Sequence, residues 1–307
     1  MKGQTTRLIS WLLVLTLIIS AGVVTACQGG QKQEPTPAAH QGPLLVVVSI
    51  APLGDFVRHI GGDKVQVEVL VPPGASPHTY EPTPGQMTLL HKADMLVLNG
   101  IGLEFWQDKV LKSVDTSRLR VVIAAEGIHV LQTGEHGEGG NPHVWLDPIN
   151  AALEVARIRD ALVAVDPANK DVYLRNGADY IEDLKALDRD IMLTTAAFPN
   201  KKFVAFHPAW EYFARRYGLV QAAVIEHTPG SEPSPGEIAQ IVKTVRETGA
   251  RAIIAEPQFS TKAAEAIAAE SGAKVVLLNP LGDPPDFDYI QTMRHNLDQL
   301  KSAMAGD

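Results

Sequence analysis

One stretch in the middle of the chain divides it into two parts: residues 168–197 read ANKDVYLRNGADYIEDLKALDRDIMLTTAA. Apolar side chains recur in it at helical spacing and it contains no proline, so it predicts one amphipathic helix of about 45 Å at 1.5 Å per residue. Such a helix links two lobes stiffly, because bending it breaks backbone hydrogen bonds. Gly177 leaves open an alternative of two shorter helices meeting there, since an interior glycine costs about 1 kcal/mol.

Strands and helices alternate on both sides of this stretch. Short β-branched runs separated by segments of helical spacing predict an α/β fold of two lobes, each a mainly parallel sheet flanked by helices. The predicted strands are 44–50, 65–71, 95–98 and 120–123 before the long helix, and 203–206, 222–225, 252–255 and 274–278 after it. We therefore expect an N-terminal lobe at 44–167, the rigid linking helix at 168–197 and a C-terminal lobe at 198–307.

The N-terminal segment predicts export. It begins with basic residues and no acidic one, and continues with an apolar run over 11–24, which is typical of a secretory signal and short for a membrane-spanning helix. The residues Val24-Thr25-Ala26-Cys27 resemble a bacterial lipobox, so we expect a lipoprotein signal peptide at 1–26 and a lipid on Cys27. The alternative is a free cysteine behind an uncleaved anchor.

A flexible tether is expected to follow the lipid site. Residues 27–43 are rich in Gln, Gly, Pro and Ala and have no apolar periodicity. Cys27 is the only cysteine of the sequence, which excludes a disulfide within one chain despite the export signal.

The charge balance argues against a nucleic-acid partner. The formal net charge is −8, from 27 Lys and Arg against 35 Asp and Glu. Removal of residues 1–26, which contain two basic and no acidic side chains, leaves 25 against 35, or −10. A phosphate backbone attracts basic surfaces, whereas an acidic body keeps an exported protein soluble and attracts cations weakly.

Three histidines lie in proline-containing stretches beyond predicted strands. His78 lies in PGASPHTYEP (73–82), His143 in NPHVWLDP (141–148) and His207 in FVAFHPAW (203–210). Ligands of open α/β sheets bind beyond the carboxyl ends of the strands, so these side chains are expected at the cleft between the lobes. Imidazole is the commonest protein ligand for zinc, and prolines beside the rings limit the entropy lost on binding. The alternative for each histidine alone is a solvated or capping side chain.

Several long motifs in one order resemble the solute-binding lipoproteins of bacterial zinc and manganese ABC importers. They are 72–82, 141–148, FHPAWEYFARRYGL at 206–219, GSEPSP at 230–235, AEPQFS at 255–260 and NPLG at 279–282. The resemblance covers about 44–307 and implies two α/β lobes joined by a backbone helix, with a metal buried between them. It also implies delivery of the metal to a membrane permease with a partner ATPase, and we expect a monomer.

The resemblance assigns the metal ligands to His78, His143 and His207, with a fourth position at Asn279. Relatives usually have Asp or Glu before Pro-Leu-Gly, so the neutral amide of Asn279 is a departure. An all-imidazole set without a carboxylate suits Zn²⁺ better than Mn²⁺, which prefers oxygen. Water, the Asn279 oxygen, or a carboxylate such as Glu226 or Glu256 are the alternatives for the last ligand.

Three other functions remain alternatives to zinc delivery. Three histidines and a water also form the site of some zinc enzymes, so an exported zinc hydrolase is one alternative, although neither a His-Glu-x-x-His nor a Gly-x-Ser-x-Gly motif occurs. A manganese-specific relative and an adhesin with a structural metal are the others. We expect the protein not to be an enzyme.

Minor candidates surround the three histidines in the sequence. His129, His136 and His227 are expected near the mouth of the site, with a solvated loop around His136. Trp145, Trp210 and Tyr212 are expected to wall the site, Asp147 to cap a helix that runs to about residue 165, and Arg215 and Arg216 to lie on a solvated helix face.

Overall fold

Two parallel sheets lie at the centre of the fold, one in each lobe. The computed structural model describes residues 42–132, 139–227, 231–282 and 287–305, all within one compact unit. The N-terminal lobe contains strands β1 (Leu44–Val48), β2 (Val65–Val69), β3 (Met95–Leu98) and β4 (Arg120–Ile123), with helices α1 (Ala51–Gly61), α2 (Pro84–Leu90), α3 (Gln107–Leu111) and α4 (Pro148–Val165). Its strand order is β2-β1-β3-β4, and β1 pairs with β3 through Val46 and Met95.

A single helix, α5 (Lys170–Ala196), follows the first lobe and has 27 residues. It passes through Gly177 without a break, so the alternative of two shorter helices is wrong. A side chain at Gly177 would place its Cβ 2.8 Å from Cδ of Arg159, a residue of α4. The glycine therefore allows α4 and α5 to pack closely, which offsets its low helix propensity.

The C-terminal lobe repeats the topology of the first. It contains strands β5 (Lys202–Ala205), β6 (Val220–Val224), β7 (Ala252–Ala255) and β8 (Lys274–Leu277), with helices α6 (Glu211–Tyr217), α7 (Pro235–Thr248), α8 (Lys262–Ser271) and α9 (Tyr289–Met304). The strand order is β6-β5-β7-β8, all parallel. The predicted fold class of two α/β lobes and a long helix is confirmed.

Polar contacts attach α5 to both lobes. The Tyr180 hydroxyl donates to Oδ2 of Asp55 in α1 at 2.7 Å. Arg216 of α6 pairs with Asp188 of α5 at 2.8 Å and with Asp147, the cap of α4, at 3.3 Å. The expectation that Arg216 lies on a solvated face is therefore wrong, because packing of α6 against α5 brings two carboxylates to it. These contacts hold the helix rigidly between the lobes.

In the described ranges, no helix combines the length and the apolar character needed to cross a membrane. The predicted signal peptide, most of the tether and Cys27 lie outside those ranges.

Candidate metal centre

The three histidines lie in loops at the carboxyl ends of strands. His78 lies between β2 and α2, and His207 is two residues beyond β5. His143 lies between β4 and α4, directly before a 3-10 turn at Val144–Leu146. The parallel sheets of both lobes direct these loops to one edge, and the structure brings all three predicted residues together there.

Their ring nitrogens converge on one point. Nε2 of His143 lies 3.1 Å from Nε2 of His78 and 3.2 Å from Nε2 of His207. Across the described part of the chain, these three residues form the group whose ligand atoms all lie within 4.8 Å of one another. Two nitrogens bound to a tetrahedral zinc at 2.0–2.1 Å are about 3.3 Å apart, so the spacing fits one ion held by three imidazoles.

The His143 ring is held by Asn141. Oδ1 of Asn141 lies 2.9 Å from the backbone nitrogen of His143 and 2.9 Å from its Nδ1. Because an amide oxygen can only accept a hydrogen bond, Nδ1 carries the ring hydrogen. Nε2 of the neutral ring then presents a lone pair to the point where the rings meet.

The His207 ring is held in the same way by a carboxylate. Nδ1 of His207 donates to Oε1 of Glu256 at 2.6 Å, and both side chains are buried. In the neutral ring, Nε2 of His207 also presents a lone pair, 3.2 Å from Nε2 of His143. Two lone pairs at this distance repel each other, and a cation between them converts the repulsion into attraction.

A small cavity lies between the rings. It offers about 10 Å³ to the centre of a water-sized sphere, which is room for about one water or ion. Its walls come from both lobes and include Trp145, Glu256, Gln258, Phe259 and Leu281. The Trp145 indole donates to the carbonyl oxygen of Pro280 at 2.7 Å, which ties the two lobes together at the wall.

Asn279 is not among the residues that line the cavity between the rings. Its Oδ1 accepts hydrogen bonds from the backbone nitrogens of Leu281 at 3.1 Å and Gly282 at 2.9 Å, and from Nε2 of Gln258 at 3.3 Å. Asn279 also lines a different pocket, beside α9. Three donors approach this oxygen, so it shapes the loop after β8.

Two other side-chain oxygens belong to residues that line the cavity. Among the described residues, Oε2 of Glu256 and Oε1 of Gln258 are buried without a hydrogen-bond partner, and both side chains line the cavity. Glu226 is buried as well, but it is not part of the cavity wall. Of the two carboxylates weighed from the sequence, Glu256 is the one at the site.

The other residues singled out from the sequence lie partly at the cavity and partly away from it. His129 and His227 are exposed and outside the cluster, and His136 lies outside the described residues. Trp145 lines the cavity, whereas Trp210 is buried but not part of its wall. The cap at Asp147 is confirmed, because its Oδ1 accepts from the backbone nitrogen of Ile149 at 2.8 Å.

Sequence reasoning overlooks the role of Asn141, although a local signal was present. An Asn two residues before a ligand can bond to the backbone of that ligand, as in an Asx turn. The partners on its amide nitrogen are 67 and 70 residues away, in the other lobe, and no local signal reveals them.

A pair of buried carboxyl groups, Glu104 and Glu154, is also overlooked. Glu104 accepts from the backbone nitrogens of Asn99 at 2.8 Å and Gly100 at 2.9 Å. Glu154 is completely buried on α4, and neither of its oxygens has a hydrogen-bond partner within the described ranges. Burial raises the pKa of Glu154 well above its ordinary value of 4.5, and the nearby Glu104 raises it further.

Family membership follows from a comparison of the whole chain. The model of the family ZnuA, zinc-uptake complex component A, periplasmic, matches residues 46–303. This chain belongs to the ZnuA family. A crystal structure of ZnuA superposes with a TM-score of 0.79 at 37% identity, over 86% of this chain and 100% of that one.

Relatives of this chain include proteins named for zinc uptake, zinc binding or manganese binding. The high-affinity zinc uptake system protein ZnuA of Bacillus subtilis is 32% identical over 94% of this chain and 97% of its own. The manganese-binding lipoprotein MntA of Halalkalibacterium halodurans is 31% identical over 92% and 96%. The zinc-binding lipoprotein AdcA of Streptococcus pneumoniae is 34% identical over 85% of this chain, which spans 56% of the length of AdcA.

Proposed function

We propose that this protein captures Zn²⁺ outside the cytoplasm and delivers it to the permease of an ABC importer. The ion is the cargo, bound between the lobes by Nε2 of His78, His143 and His207. Membership of the ZnuA family supports a role as the solute-binding component, with a permease and its ATPase as partners.

The proposal depends on one observation: the Nε2 atoms of two buried rings face each other at 3.2 Å. Their Nδ1 hydrogens are held by an amide oxygen and a carboxylate, so neither Nε2 can donate to the other. A cation that accepts both lone pairs removes the repulsion between the two Nε2 atoms. Carboxylate or carbonyl partners on the far nitrogen are the usual outer contacts of zinc-bound histidines.

The donor set favours zinc over manganese. Three imidazole nitrogens match the softer ion, whereas Mn²⁺ prefers carboxylate and water oxygens. A water in the fourth position completes a tetrahedron. The unpaired oxygens of Glu256 and Gln258 on the cavity wall are suited to hold that water.

The size of the cavity favours a transported ion over the substrate of an exported hydrolase. Pockets that hold small organic molecules have volumes of about 300–1,000 Å³. The space of about 10 Å³ between the rings is far smaller. We therefore propose a binding protein and not an enzyme.

Zinc titration tests this function. The protein without residues 1–26, stripped of metal, is expected to bind one Zn²⁺ per chain in competition with a chelating dye, and to bind Mn²⁺ at least a hundredfold more weakly. A tighter affinity for Mn²⁺ would favour the manganese alternative. Zinc-dependent hydrolysis of ester or amide substrates would instead favour the enzyme.

We also propose that a lipid on Cys27 attaches the protein to the membrane. Export, a tether at 27–43 and lipidation would keep a monomeric zinc carrier beside its permease. In bacteria that express the full chain, Cys27→Ser is expected to abolish incorporation of labelled palmitate and release the protein from the membrane fraction. Retention of the label by this variant would remove the assignment, and a dimeric mass in light scattering would overturn the monomer.

A further inference from the structure

Asn141 connects the two lobes at the metal centre. Its side chain is completely buried and uses all of its hydrogen-bonding capacity. Oδ1 accepts two hydrogen bonds from His143, while Nδ2 donates to the carbonyl oxygen of Pro208 at 2.9 Å and to Oε2 of Glu211 at 2.6 Å. Asn141 and His143 belong to the N-terminal lobe, whereas Pro208 and Glu211 belong to the C-terminal lobe, directly after His207.

These partners allow one orientation of the Asn141 amide. The backbone nitrogen of His143 can only donate, and the Pro208 carbonyl can only accept. Rotation of the amide by 180° would place Oδ1 against a carbonyl and a carboxylate, and Nδ2 against an N–H group. The cross-lobe bonds therefore keep Oδ1 directed at Nδ1 of His143, which keeps the lone pair of His143 on Nε2.

A second contact reinforces this connection. The Tyr212 hydroxyl, on α6 of the C-terminal lobe, donates to the backbone oxygen of Asn141 at 2.9 Å and accepts from the backbone nitrogen of Leu131 at 3.0 Å. The backbone nitrogen of Asn141 donates to the Leu131 oxygen at 2.9 Å. The loop that carries His143 is thus bonded to α6 through both the side chain and the main chain of one residue.

We infer that Asn141 is a positioning residue that couples closure of the lobes to the zinc-binding tautomer of His143. This inference rests on the proposed function and adds a mechanism of release. Separation of the lobes breaks the bonds from Nδ2 to Pro208 and Glu211, and the amide then rotates freely. His143 loses its fixed acceptor, its ring hydrogen moves to Nε2 in part of the population, and the ring no longer binds the ion.

Two substitutions separate tautomer control from lobe bridging. Asn141→Asp keeps an oxygen for Nδ1 of His143 but places a second oxygen against Pro208 and Glu211. It is expected to preserve the His143 tautomer and to speed Zn²⁺ dissociation about tenfold. Asn141→Ala removes both the acceptor for Nδ1 of His143 and the bonds to the other lobe. It is expected to give a mixture of His143 tautomers and about a hundredfold weaker Zn²⁺ affinity, which is the upper end of the range for outer contacts of metal ligands.

A matched double variant tests the cross-lobe contact directly. In Asn141→Asp with Glu211→Gln, the new amide donates to the new carboxylate, so slow Zn²⁺ dissociation is expected to return in large part. Tyr212→Phe, a milder change, is expected to speed dissociation severalfold with the tautomer unchanged. Glu256→Gln should alter the signals of His207 and leave those of His143 as they are.

The measurements are the nitrogen NMR spectrum of His143 in the zinc-free protein and the rate of Zn²⁺ transfer to a chelating dye. A wild-type tautomer in Asn141→Ala, or a wild-type dissociation rate in Asn141→Asp, would overturn the inference. The tautomer of His143 is measured in the zinc-free protein. An absence of zinc binding by the wild type would therefore contradict the proposed function without affecting the tautomer result.

Discussion

Replacement of His143 by alanine is expected to weaken Zn²⁺ binding about a thousandfold. Apparent zinc-binding free energies of about 10–16 kcal/mol are typical of fully ligated protein sites, so one of three or four ligands contributes about 4 kcal/mol. His143 is the central ring of the cluster, within 3.1 and 3.2 Å of the other two, so its loss removes the nitrogen nearest to both remaining ligands. Competition titration against a dye of known zinc affinity measures the change.

His129 provides the matched control for this experiment. It is exposed and lies outside the cluster, so His129→Ala is expected to keep wild-type affinity. A wild-type zinc affinity in the His143 variant would remove that residue from the site. Circular dichroism of both proteins shows that the loss is not a failure to fold.

Glu154→Gln is expected to stabilise the zinc-free protein relative to wild type, and to do so more strongly at pH 7 than at pH 5. The Glu154 carboxyl is buried without a hydrogen-bond partner among the described residues, next to Glu104. Burial and that neighbouring charge raise its pKa, because both disfavour the ionised form. Glutamine has the same shape and cannot ionise, so it is free of this penalty at neutral pH.

The direction of the pH effect follows from proton binding. Above the ordinary value of 4.5 and below the raised pKa, folded Glu154 keeps a proton that the unfolded chain has released. The free energy of unfolding of the wild type therefore falls with rising pH in this window, by about 1.4 kcal/mol per unit for this group. The variant lacks this contribution, so the difference between the two proteins grows from pH 5 to pH 7.

Urea unfolding of both proteins at the two pH values measures this difference, in which titration of the other groups cancels. Glu270→Gln, on an exposed position of α8, is the control and is expected to show a constant difference. A difference between Glu154→Gln and wild type that does not grow from pH 5 to pH 7 would mean that the pKa of Glu154 is not raised in the folded protein.

Much of the fold could be predicted because its signals are local. Each strand is a short β-branched run, and each boundary has a proline, a glycine or a cap nearby, so periodicity alone identified two α/β lobes. The long helix was predicted over 168–197 from the same spacing and is observed from Lys170 to Ala196. Gly177 was ambiguous, since its reason is contact with Arg159 of another helix.

Positions that depend on packing between elements were harder to predict. Arg216 looked solvated, yet its partners Asp188 and Asp147 come from two other elements. The resemblance assigned Asn279 to the fourth ligand position, and the sequence did not reveal that the backbone of its own loop donates to this oxygen. In both cases, the residue type and its neighbours in the sequence say nothing about which atoms will face it.

By itself, the sequence determined the fold class and the types of ligand. It predicted two α/β lobes, a stiff helix between them, and three imidazoles suited to zinc at the ends of strands. Only the tertiary structure decided how those rings are held. Glu256 is 49 residues from His207, and Glu211 is 70 residues from Asn141, which bonds to it and to His143. Hydrophobic periodicity arises from each segment alone, whereas the orientation of a ring depends on the hydrogen-bond partner that folding brings to it.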